Sequence, residues 1–364
     1  MARRALIVGI DKYNGNVLKS LTTPSKDAAH LYELLSSSVD PQYDWRKVTM
    51  LPDLDSQDPA SVPITGEVLW GELTDFFSPH GTPDDLLLYF AGHGINRYRT
   101  AVLATSETTE TSGGIPMPDL MRLIQETGPE TAASITVILD CCGSGVMNEI
   151  SSSTQLPPNT GILTASFGNR DAYERTNDAS VFSSILFDGL KGGAIQGVLG
   201  RISIASLVSF VHERFEEEDL KQRPTFHGYF TNVPVLRSAN GALSEKDIDR
   251  LRVDFGDDPT HTITMRSTHE EPNLLNRTRG EDNSEEHKTE DQKQFDYFKR
   301  LQTAGLLAVK AEEQSLYWAC GFDKNGHATG DPKDVYLTGQ GQALWAVADR
   351  RQQRRDAVAR RSAQ

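Results

Sequence analysis

The sequence predicts an α/β layer sandwich, with a mostly parallel central sheet flanked by helices, followed by a small C-terminal unit. Over the first two thirds of the 364 residues, short apolar runs alternate with helical patterns, as they do where crossover helices join parallel strands. Several of the apolar runs lack polar alternation, which indicates strands that helices cover on both faces. The length also favours two domains, at roughly 150 residues per domain.

The predicted elements follow one another in the order that such a sheet requires. Residues 25–35 place Ala28, Leu31 and Leu35 on one helical stripe, with Ser25 as the N-cap. The predicted strands are 5–9, 48–51, 86–90, 135–139 and 162–165. The further predicted helices are 65–77, 117–125, 181–190 and 203–215.

The composition divides the chain into three predicted segments. Residues 1–237 carry the α/β pattern. Residues 238–292 are rich in Asp, Glu, Asn, Thr and Gly and hold too few apolar residues for a core, so we expect an acidic flexible linker. Residues 293–364 return to a compact pattern and end in an arginine-rich tail, which predicts a small domain with basic charge at its end.

The third segment carries a short recognisable motif. Leu337, Thr338 and Gly341 match the Leu-Thr-x-x-Gly with which many winged-helix units leave a wing strand and enter a helix. Residues 295–350 therefore resemble a winged-helix unit. Such a unit would recruit a protein partner or DNA.

Charge and cysteine content limit the classes of function. Lys and Arg number 37 against 51 Asp and Glu, and the net charge of −14 repels phosphate backbones, so nucleic acid is expected to bind only weakly, through the C-terminal unit. Three cysteines without a Cys-x-x-Cys pair give neither a disulfide framework nor a zinc site. With no apolar run long enough for a signal peptide or a membrane span, we expect a cytoplasmic protein that does not bind membranes. We expect no cofactor, with calcium dependence left open.

Two reactive residue types follow two of the predicted strands. His93 comes after the strand at 86–90, and Cys142 comes after the strand at 135–139. Because the carboxyl ends of parallel strands share one edge of the sheet, these two side chains can meet there. An imidazole can convert a thiol to the nucleophilic thiolate and later protonate a leaving amine. The pair therefore predicts acyl transfer through a Cys-His dyad.

The residues around the pair support the same chemistry. Gly92 and Gly94 let the backbone turn sharply, and the N–H groups of Gly94 and Cys142 are expected to form an oxyanion hole. Asp140 and Cys142 are two residues apart in an extended segment, so they share a face and Cys141 points the other way. This alternation favours Cys142 over Cys141 as the nucleophile.

Five motifs now point to one family. The segments ALIVGIDKY, LLLYFAGHG, ILDCCGSG, ILTAS and SVFSSILFDGLKGG occur in this order, and His93 lies about 50 residues before Cys142, as in caspases. Residues 3–235 resemble the caspase-like cysteine peptidases, and within them the metacaspases and their bacterial relatives. The resemblance implies a caspase-like layer sandwich with His93 and Cys142 as the catalytic dyad.

The resemblance also implies a specificity. Asp140 occupies the position where metacaspases place an acidic residue of the S1 pocket, and Asp27 falls where their second acidic pocket residue is expected. Two carboxylates would pair with a cationic side chain and repel an acidic one. The implied activity is cleavage of protein substrates after Arg or Lys. The acidic cluster of calcium-dependent members has no aligned counterpart, so a calcium requirement stays open.

Control and setting are further expectations. Arg277 and Arg279 lie in the acidic linker, where chains are most easily cut, so we expect processing there by the protein itself or by an activating protease. The resemblance to bacterial members implies a role in antiviral defence or cell death. The rival hypothesis is a signalling adaptor or DNA-binding protein that uses the caspase fold as a platform and the C-terminal unit for recruitment.

Overall fold

The structure is a computed structural model, and its described residues fall into two compact units, 1–240 and 241–364. The described residues are 2–13, 17–53, 58–81, 84–128, 130–141, 156–165, 174–176, 179–195, 198–218, 220, 224–241, 243–265, 269, 289–310 and 333–362. No helix in these ranges is long and apolar enough to cross a bilayer.

The first unit is built on a six-stranded sheet. The strands of this unit are β1 (Arg3–Gly9), β2 (Lys47–Leu51), β3 (Asp84–Gly92), β4 (Gly94–Arg97), β5 (Thr100–Leu103), β6 (Ile115–Pro116), β7 (Ala132–Cys141), β8 (Thr160–Thr164), β9 (Glu174–Thr176), β10 (Ala179–Ser180), β11 (Arg201–Ser203), β12 (Thr225–Tyr229) and β13 (Val235–Ser238). The sheet order is β12-β8-β7-β3-β1-β2. Its first five strands in the chain pair in parallel, and β12 runs antiparallel to β8 at one edge. The predicted mostly parallel sheet is confirmed.

Helices cover both faces of this sheet, as the unbroken apolar strands predict. The helices of the unit are α1 (Pro24–Leu35), α2 (Gly66–Phe76), α3 (Met117–Glu126), α4 (Val181–Asp188) and α5 (Ile204–Glu217). Buried side chains of α2 and α3 pack in one apolar cluster, and those of α1, α4 and α5 pack in the other. The central strands feed both clusters alternately, since Leu88 and Phe90 belong to the first and Leu87 and Tyr89 to the second. The predicted α/β layer sandwich is therefore confirmed.

One buried arginine ties the ends of two of these helices together. Arg237, which is 8% exposed, donates from Nε to the carbonyl of Leu34 at 2.6 Å. Its other two nitrogens donate to the carbonyls of Leu190 and Ser37, at 2.7 and 2.8 Å. These carbonyls lie at or just beyond the C-terminal ends of α1 and α4, where helix carbonyls lack partners of their own. The guanidinium thus supplies the missing donors for both helix ends.

The second unit contains three strands and three helices among its described residues. They are α6 (Glu245–Asp254), β14 (Ile263–Thr264), α7 (Glu290–Thr303), β15 (Leu307–Val309), β16 (Asp334–Leu337) and α8 (Gly339–Ser362). The strands form a small antiparallel sheet in the order β14-β16-β15. Inside α6, Ile248 and Leu251 are fully buried.

Part of the stretch for which the sequence predicts a linker is therefore folded. Helix α6 begins with a capping box at Ser244 and Asp247, and it packs against α8 within the second unit. The composition of residues 238–292 hides this helix because few apolar residues suffice for a helix that contacts its neighbours on one stripe. The compact units meet at residue 240, so the second begins well before the predicted position 293.

The Leu-Thr-x-x-Gly motif has a local physical explanation. Thr338 Oγ1 donates to the carbonyl of Gly305 at 2.8 Å and accepts the N–H of Gly341 at 3.2 Å, so it caps the start of α8. A side chain at Gly341 would overlap the carbonyl of Leu306. The motif therefore serves to bring a new helix tightly against the preceding turn.

Candidate active site

Two adjacent strands lead to the two predicted catalytic residues. Strands β3 and β7 are adjacent and parallel, and Gly92 is the register partner of Cys141. His93 follows β3 directly, and Cys142 follows β7 directly. Cys142 itself lies outside the described residues. The two strands that lead to the predicted dyad thus end side by side at one edge of the sheet.

Tyr13 and Lys19 both contact His93. Its Nε2 lies 2.8 Å from the carbonyl oxygen of Lys19, and its backbone N–H donates to the hydroxyl of Tyr13 at 2.9 Å. The tyrosine and histidine rings also meet edge to face, with centroids 4.7 Å apart and planes 62° apart. Because a carbonyl can only accept, Nε2 carries a proton, so in the neutral form of the imidazole the lone pair lies on Nδ1. Nδ1 is then the atom that can act as a base.

The ladder between β4 and β5 determines which way the N–H of Gly94 points. Ala104 donates its N–H to the carbonyl of His93 at 2.9 Å, which makes His93 and Ala104 a hydrogen-bonded pair of the β4-β5 hairpin. Bonded and non-bonded pairs alternate in an antiparallel ladder, so the next pair, Gly94 and Leu103, is a non-bonded one. The N–H of Gly94 therefore points away from β5. Its predicted partner in the oxyanion hole, Cys142, is outside the described residues.

Asp140 and Cys141 point to opposite faces of the sheet, as their alternation predicts. Cys141 is buried in the apolar cluster that α2 and α3 cover. Asp140 faces the other side, where its Oδ2 accepts the hydroxyl of Ser183 at 2.6 Å. A thiol buried among apolar groups has a raised pKa and is unreactive in general, and this burial argues against Cys141 as a nucleophile.

Asp27 and Asp140 lie close together because both bind Ser180. The hydroxyl of Ser180 donates to Oδ2 of Asp140, and its backbone N–H donates to Oδ2 of Asp27 at 3.2 Å. Ser180 is also the N-cap of α4, since its hydroxyl accepts the N–H of Ser183 at 2.9 Å. Only 1% of Asp27 and 5% of Asp140 is exposed. The structure thus brings together the two carboxylates that the sequence places 113 positions apart as a pocket pair.

Burial raises the pKa values of Asp27 and Asp140, so this pair of acids keeps a proton at neutral pH. Loss of solvent and the nearby charge of Asp140 raise the pKa of Asp27 to about 8. Burial also raises the pKa of Asp140, while the hydroxyls of Ser180 and Ser183 lower it. Since two hydroxyls stabilise the carboxylate of Asp140, Asp27 is the member of the pair that carries the proton at neutral pH.

The acid pair has further polar neighbours. The hydroxyl of Tyr89 lies 2.7 Å from that of Ser183, and burial raises the pKa of this phenol well above its usual value. Tyr89 therefore stays neutral and can donate to Ser183, which donates in turn to Asp140. Oδ1 of Asp27 is buried, and a hydrogen bond from the hydroxyl of Thr23 lowers the pKa of the Asp27 carboxyl, so hydroxyl groups contact both acids.

Sequence reasoning did not identify Tyr13, Lys19, Ser180, Ser183 or Tyr89 as site residues. Ser180 carries a usable signal, since a serine directly before an apolar helical stretch is a common N-cap. The carbonyl of Lys19 leaves no mark in the sequence, because every residue has one.

The predicted processing positions, Arg277 and Arg279, lie outside the described residues.

With the geometry in place, comparison with known proteins identifies the family. The sequence profile of the family described as the caspase domain matches residues 2–232. The chain belongs to the caspase-domain family. The recognition of a caspase-like chain over residues 3–235 is thereby confirmed, and the caspase domain places this chain in a family of cysteine peptidases that act on proteins.

Two solved structures are similar to the caspase domain of this chain. A protein from Geobacter sulfurreducens is 13% identical over 66% of this chain and 98% of its own, with a TM-score of 0.46. Caspase-1 from Spodoptera frugiperda is 18% identical over 65% of this chain and 91% of its own, with a TM-score of 0.47. A comparison with curated proteins finds no match.

Proposed function

We propose that this chain is a cysteine endopeptidase that cleaves protein substrates after Arg or Lys, with Cys142 as nucleophile and His93 as general base. The observation that carries the proposal is the register of β3 and β7. Since Gly92 pairs with Cys141, the strands that precede His93 and Cys142 in the chain end side by side at one edge of the sheet. That edge is where open α/β sheets bind ligands.

The contacts of His93 suit each step of acyl transfer. With Nε2–H donated to Lys19, Nδ1 takes the proton from the Cys142 thiol, and the thiolate attacks the scissile carbonyl carbon. The N–H groups of Gly94 and Cys142 receive the oxyanion. The imidazolium then protonates the leaving amine as the C–N bond breaks and a thioester forms. His93 next deprotonates a water molecule that hydrolyses the thioester, which returns the proton to the thiol.

The acid pair supports the proposed preference for Arg and Lys. A guanidinium or ammonium group entering beside Asp27 and Asp140 would meet one carboxylate already held by two hydroxyls and a second that releases its proton. An acidic P1 side chain would instead add a second negative charge beside the buried carboxylate of Asp140, which costs free energy.

A peptide panel tests the proposal. Fluorogenic peptides that differ only in a P1 residue of Arg, Lys, Gln or Asp are incubated with the full chain, with Cys142→Ala and with the matched variant Cys141→Ala. We expect cleavage after Arg and Lys only, loss in Cys142→Ala and retention in Cys141→Ala. Equal cleavage after Asp would contradict the specificity, and full activity in Cys142→Ala would contradict the dyad.

Processing at Arg277 and Arg279 is part of the same proposal. A peptidase with open specificity needs restraint, and an acidic segment that holds two arginines offers a substrate within its own chain. Intact mass after incubation tests this, with Arg277→Gln/Arg279→Gln as the control. A single uncut species at full activity would remove processing from the proposal. The defence or cell-death setting stays a prediction from the family resemblance.

The adaptor hypothesis keeps one observation in its favour. The strand order β14-β16-β15, with a helix before the last two strands, is compatible with a winged helix. Helix α7 carries three acidic and three basic residues, so it offers no positive face to DNA, and a protein partner is the better candidate. A gel shift of duplex DNA that requires residues beyond Asn240 would favour the DNA-binding version.

A further inference from the structure

Tyr13 makes two separate contacts with His93 that the proposed reaction does not by itself require. Its hydroxyl accepts the backbone N–H of His93 at 2.9 Å, and its ring lies edge to face with the imidazole. Tyr13 is 8% exposed and packs in the apolar cluster that α2 and α3 cover. The contact therefore joins a rigid part of the core to a histidine at the end of a strand.

The absence of a side chain at Gly92 leaves room for the Tyr13 hydroxyl beside β3. A methyl group at residue 92 would overlap the hydroxyl of Tyr13, whereas its next contacts, with the Phe90 ring, would be 3.3 and 3.4 Å. The phenol thus occupies the space where any other residue would put its side chain. The glycine before His93 is explained by this contact as well as by the turn that follows.

The segment that carries Tyr13 is itself fastened to the sheet. The N–H of Ile10 donates to the carbonyl of Ala91 at 3.0 Å, and the N–H of Leu21 donates to the carbonyl of Asp11 at 2.9 Å. Oδ1 of Asp11 accepts the N–H of Ser25 at 3.3 Å, at the start of α1. Lys19, whose carbonyl binds the His93 ring, lies between Asp11 and Leu21 in the chain. Backbone and ring of His93 are therefore held by Tyr13 and Lys19, two residues that lie between these bonded positions in the sequence.

We propose that Tyr13 is a positioning residue for His93: its hydroxyl fixes the backbone of the histidine and its ring limits the imidazole to the orientation in which Nε2 meets the carbonyl of Lys19. This inference rests on the proposed function, because it assigns His93 the role of general base. Burial raises the pKa of Tyr13 above its usual value, so the phenol stays neutral and adds no charge beside the imidazole. A general base works only from a fixed geometry, and a small displacement of it lowers the rate strongly.

The first test removes the hydroxyl and keeps the ring. Tyr13→Phe is expected to lower kcat about tenfold, the effect of one lost hydrogen bond at the barrier, and to leave KM within about twofold. Tyr297→Phe is the matched control, since Tyr297 is also buried and donates its hydroxyl to the carbonyl of Asp247 at 2.6 Å in the second unit. Loss of kcat in both variants, or in neither, would overturn the proposal.

The second test needs no substrate, so it separates this inference from the peptidase assignment. Nitrogen NMR signals of His93 are expected to show the Nε2–H form in the wild type and an averaged or altered signal in Tyr13→Phe. The amide of His93 is expected to exchange slowly with solvent only when the hydroxyl is present. Unchanged signals in a folded Tyr13→Phe would refute the positioning role even if no peptide were ever cleaved by the wild type.

A rescue experiment covers the case in which single variants fold poorly. Gly92→Ala places a methyl group where the hydroxyl lies, so it is expected to lower both Tm and kcat. Adding Tyr13→Phe removes the overlapping oxygen, and the double variant is expected to regain part of the Tm that Gly92→Ala loses. Additive losses in the double variant would show that the hydroxyl does not occupy this place.

Discussion

The two parts of the candidate site are held in contrasting ways. His93 is partly exposed, and an uncharged carbonyl, a phenol oxygen and an aromatic ring contact it. Asp27 and Asp140 are almost wholly buried, and their environment sets how many charges they carry. The fold therefore controls the orientation of the His93 imidazole, whereas at Asp27 and Asp140 it controls the charge of the carboxyl groups.

This contrast teaches which kinetic constant each part should govern. A misplaced base slows the chemical step, so changes at His93 should appear in kcat. A pocket that binds a cation acts on the substrate as a whole, so changes at the acids should appear mainly in KM and in the choice of P1 residue. The following four experiments test this division, and their expected effects decrease in order.

Removal of the imidazole should have the largest effect. His93→Ala is expected to lower kcat at least about 1000-fold because the thiol loses its base, while KM for an Arg peptide changes little. His80→Ala is the control, since His80 is bonded only to the exposed Asp75 region of the first unit in the described structure. A large rise in KM with normal kcat in His93→Ala would break the division.

Neutralising Asp140, the acid that accepts two hydroxyl groups, should have the second largest effect. Asp140→Asn is expected to lower kcat/KM for Arg peptides about 100-fold and to leave a Gln peptide nearly unaffected, because a cation loses its buried charge partner. The control is Asp84→Asn, which removes a buried acid paired with Arg4 at 2.9 Å at the opposite end of β3. That control should lower Tm without changing the ratio of Arg to Gln cleavage; equal ratios for Asp140→Asn and wild type would contradict the pocket.

The proton on Asp27 should make substrate binding depend on pH. Because the pKa of Asp27 is about 8 in the empty site, a cation must displace a proton below that pH. KM for an Arg peptide is expected to fall about tenfold per pH unit from pH 6 to 8 and to level off above 8. Steady-state kinetics across this range, compared with Asp27→Asn, measure it. A KM that does not change with pH in the wild type would show that Asp27 does not face the substrate.

The same proton should also appear in the stability of the protein, as the smallest of the four effects. The folded pKa of Asp27, about 8, lies above its ordinary value of 3.8, so the folded state binds more protons between these values and its unfolding free energy falls as pH rises through that window. Asp27→Asn is thus expected to melt a few degrees above the wild type at pH 9 and at nearly the same temperature at pH 4. Thermal unfolding by circular dichroism decides; a difference independent of pH would argue against the raised pKa.

The sequence predicted the elements of the first unit well because each one is a local pattern. Residues 25–35 and 117–125 agree with α1 and α3 to within one residue at each end, and the unbroken run 86–90 lies within β3. Asp140 and Cys141 also take the faces that strand alternation assigns them. These features depend on neighbours a few positions away, which the sequence displays directly.

The missed features depend on contacts between distant positions. Tyr13 meets His93 across 80 positions, and Ser183 meets Asp140 across 43. Neither pair has a spacing that a helix or strand would repeat, so periodicity carries no sign of it. Helix α6 was missed for a different reason, because its buried stripe of Ile248 and Leu251 is too thin to stand out from an acidic composition.

Arg237 holds the C-terminal ends of the two helices whose N-terminal turns carry Asp27 and Ser183. Asp27 lies in the first turn of α1 and Ser183 in the first turn of α4. Arg237 donates hydrogen bonds at the other ends of these two helices, to the carbonyls of Leu34 and Leu190. The guanidinium thus supports the helical layer that carries Asp27 and Ser183, at the end opposite to these two residues. We therefore expect a replacement of Arg237 to alter the spacing of Asp27 and Asp140, although its guanidinium bonds to neither carboxylate.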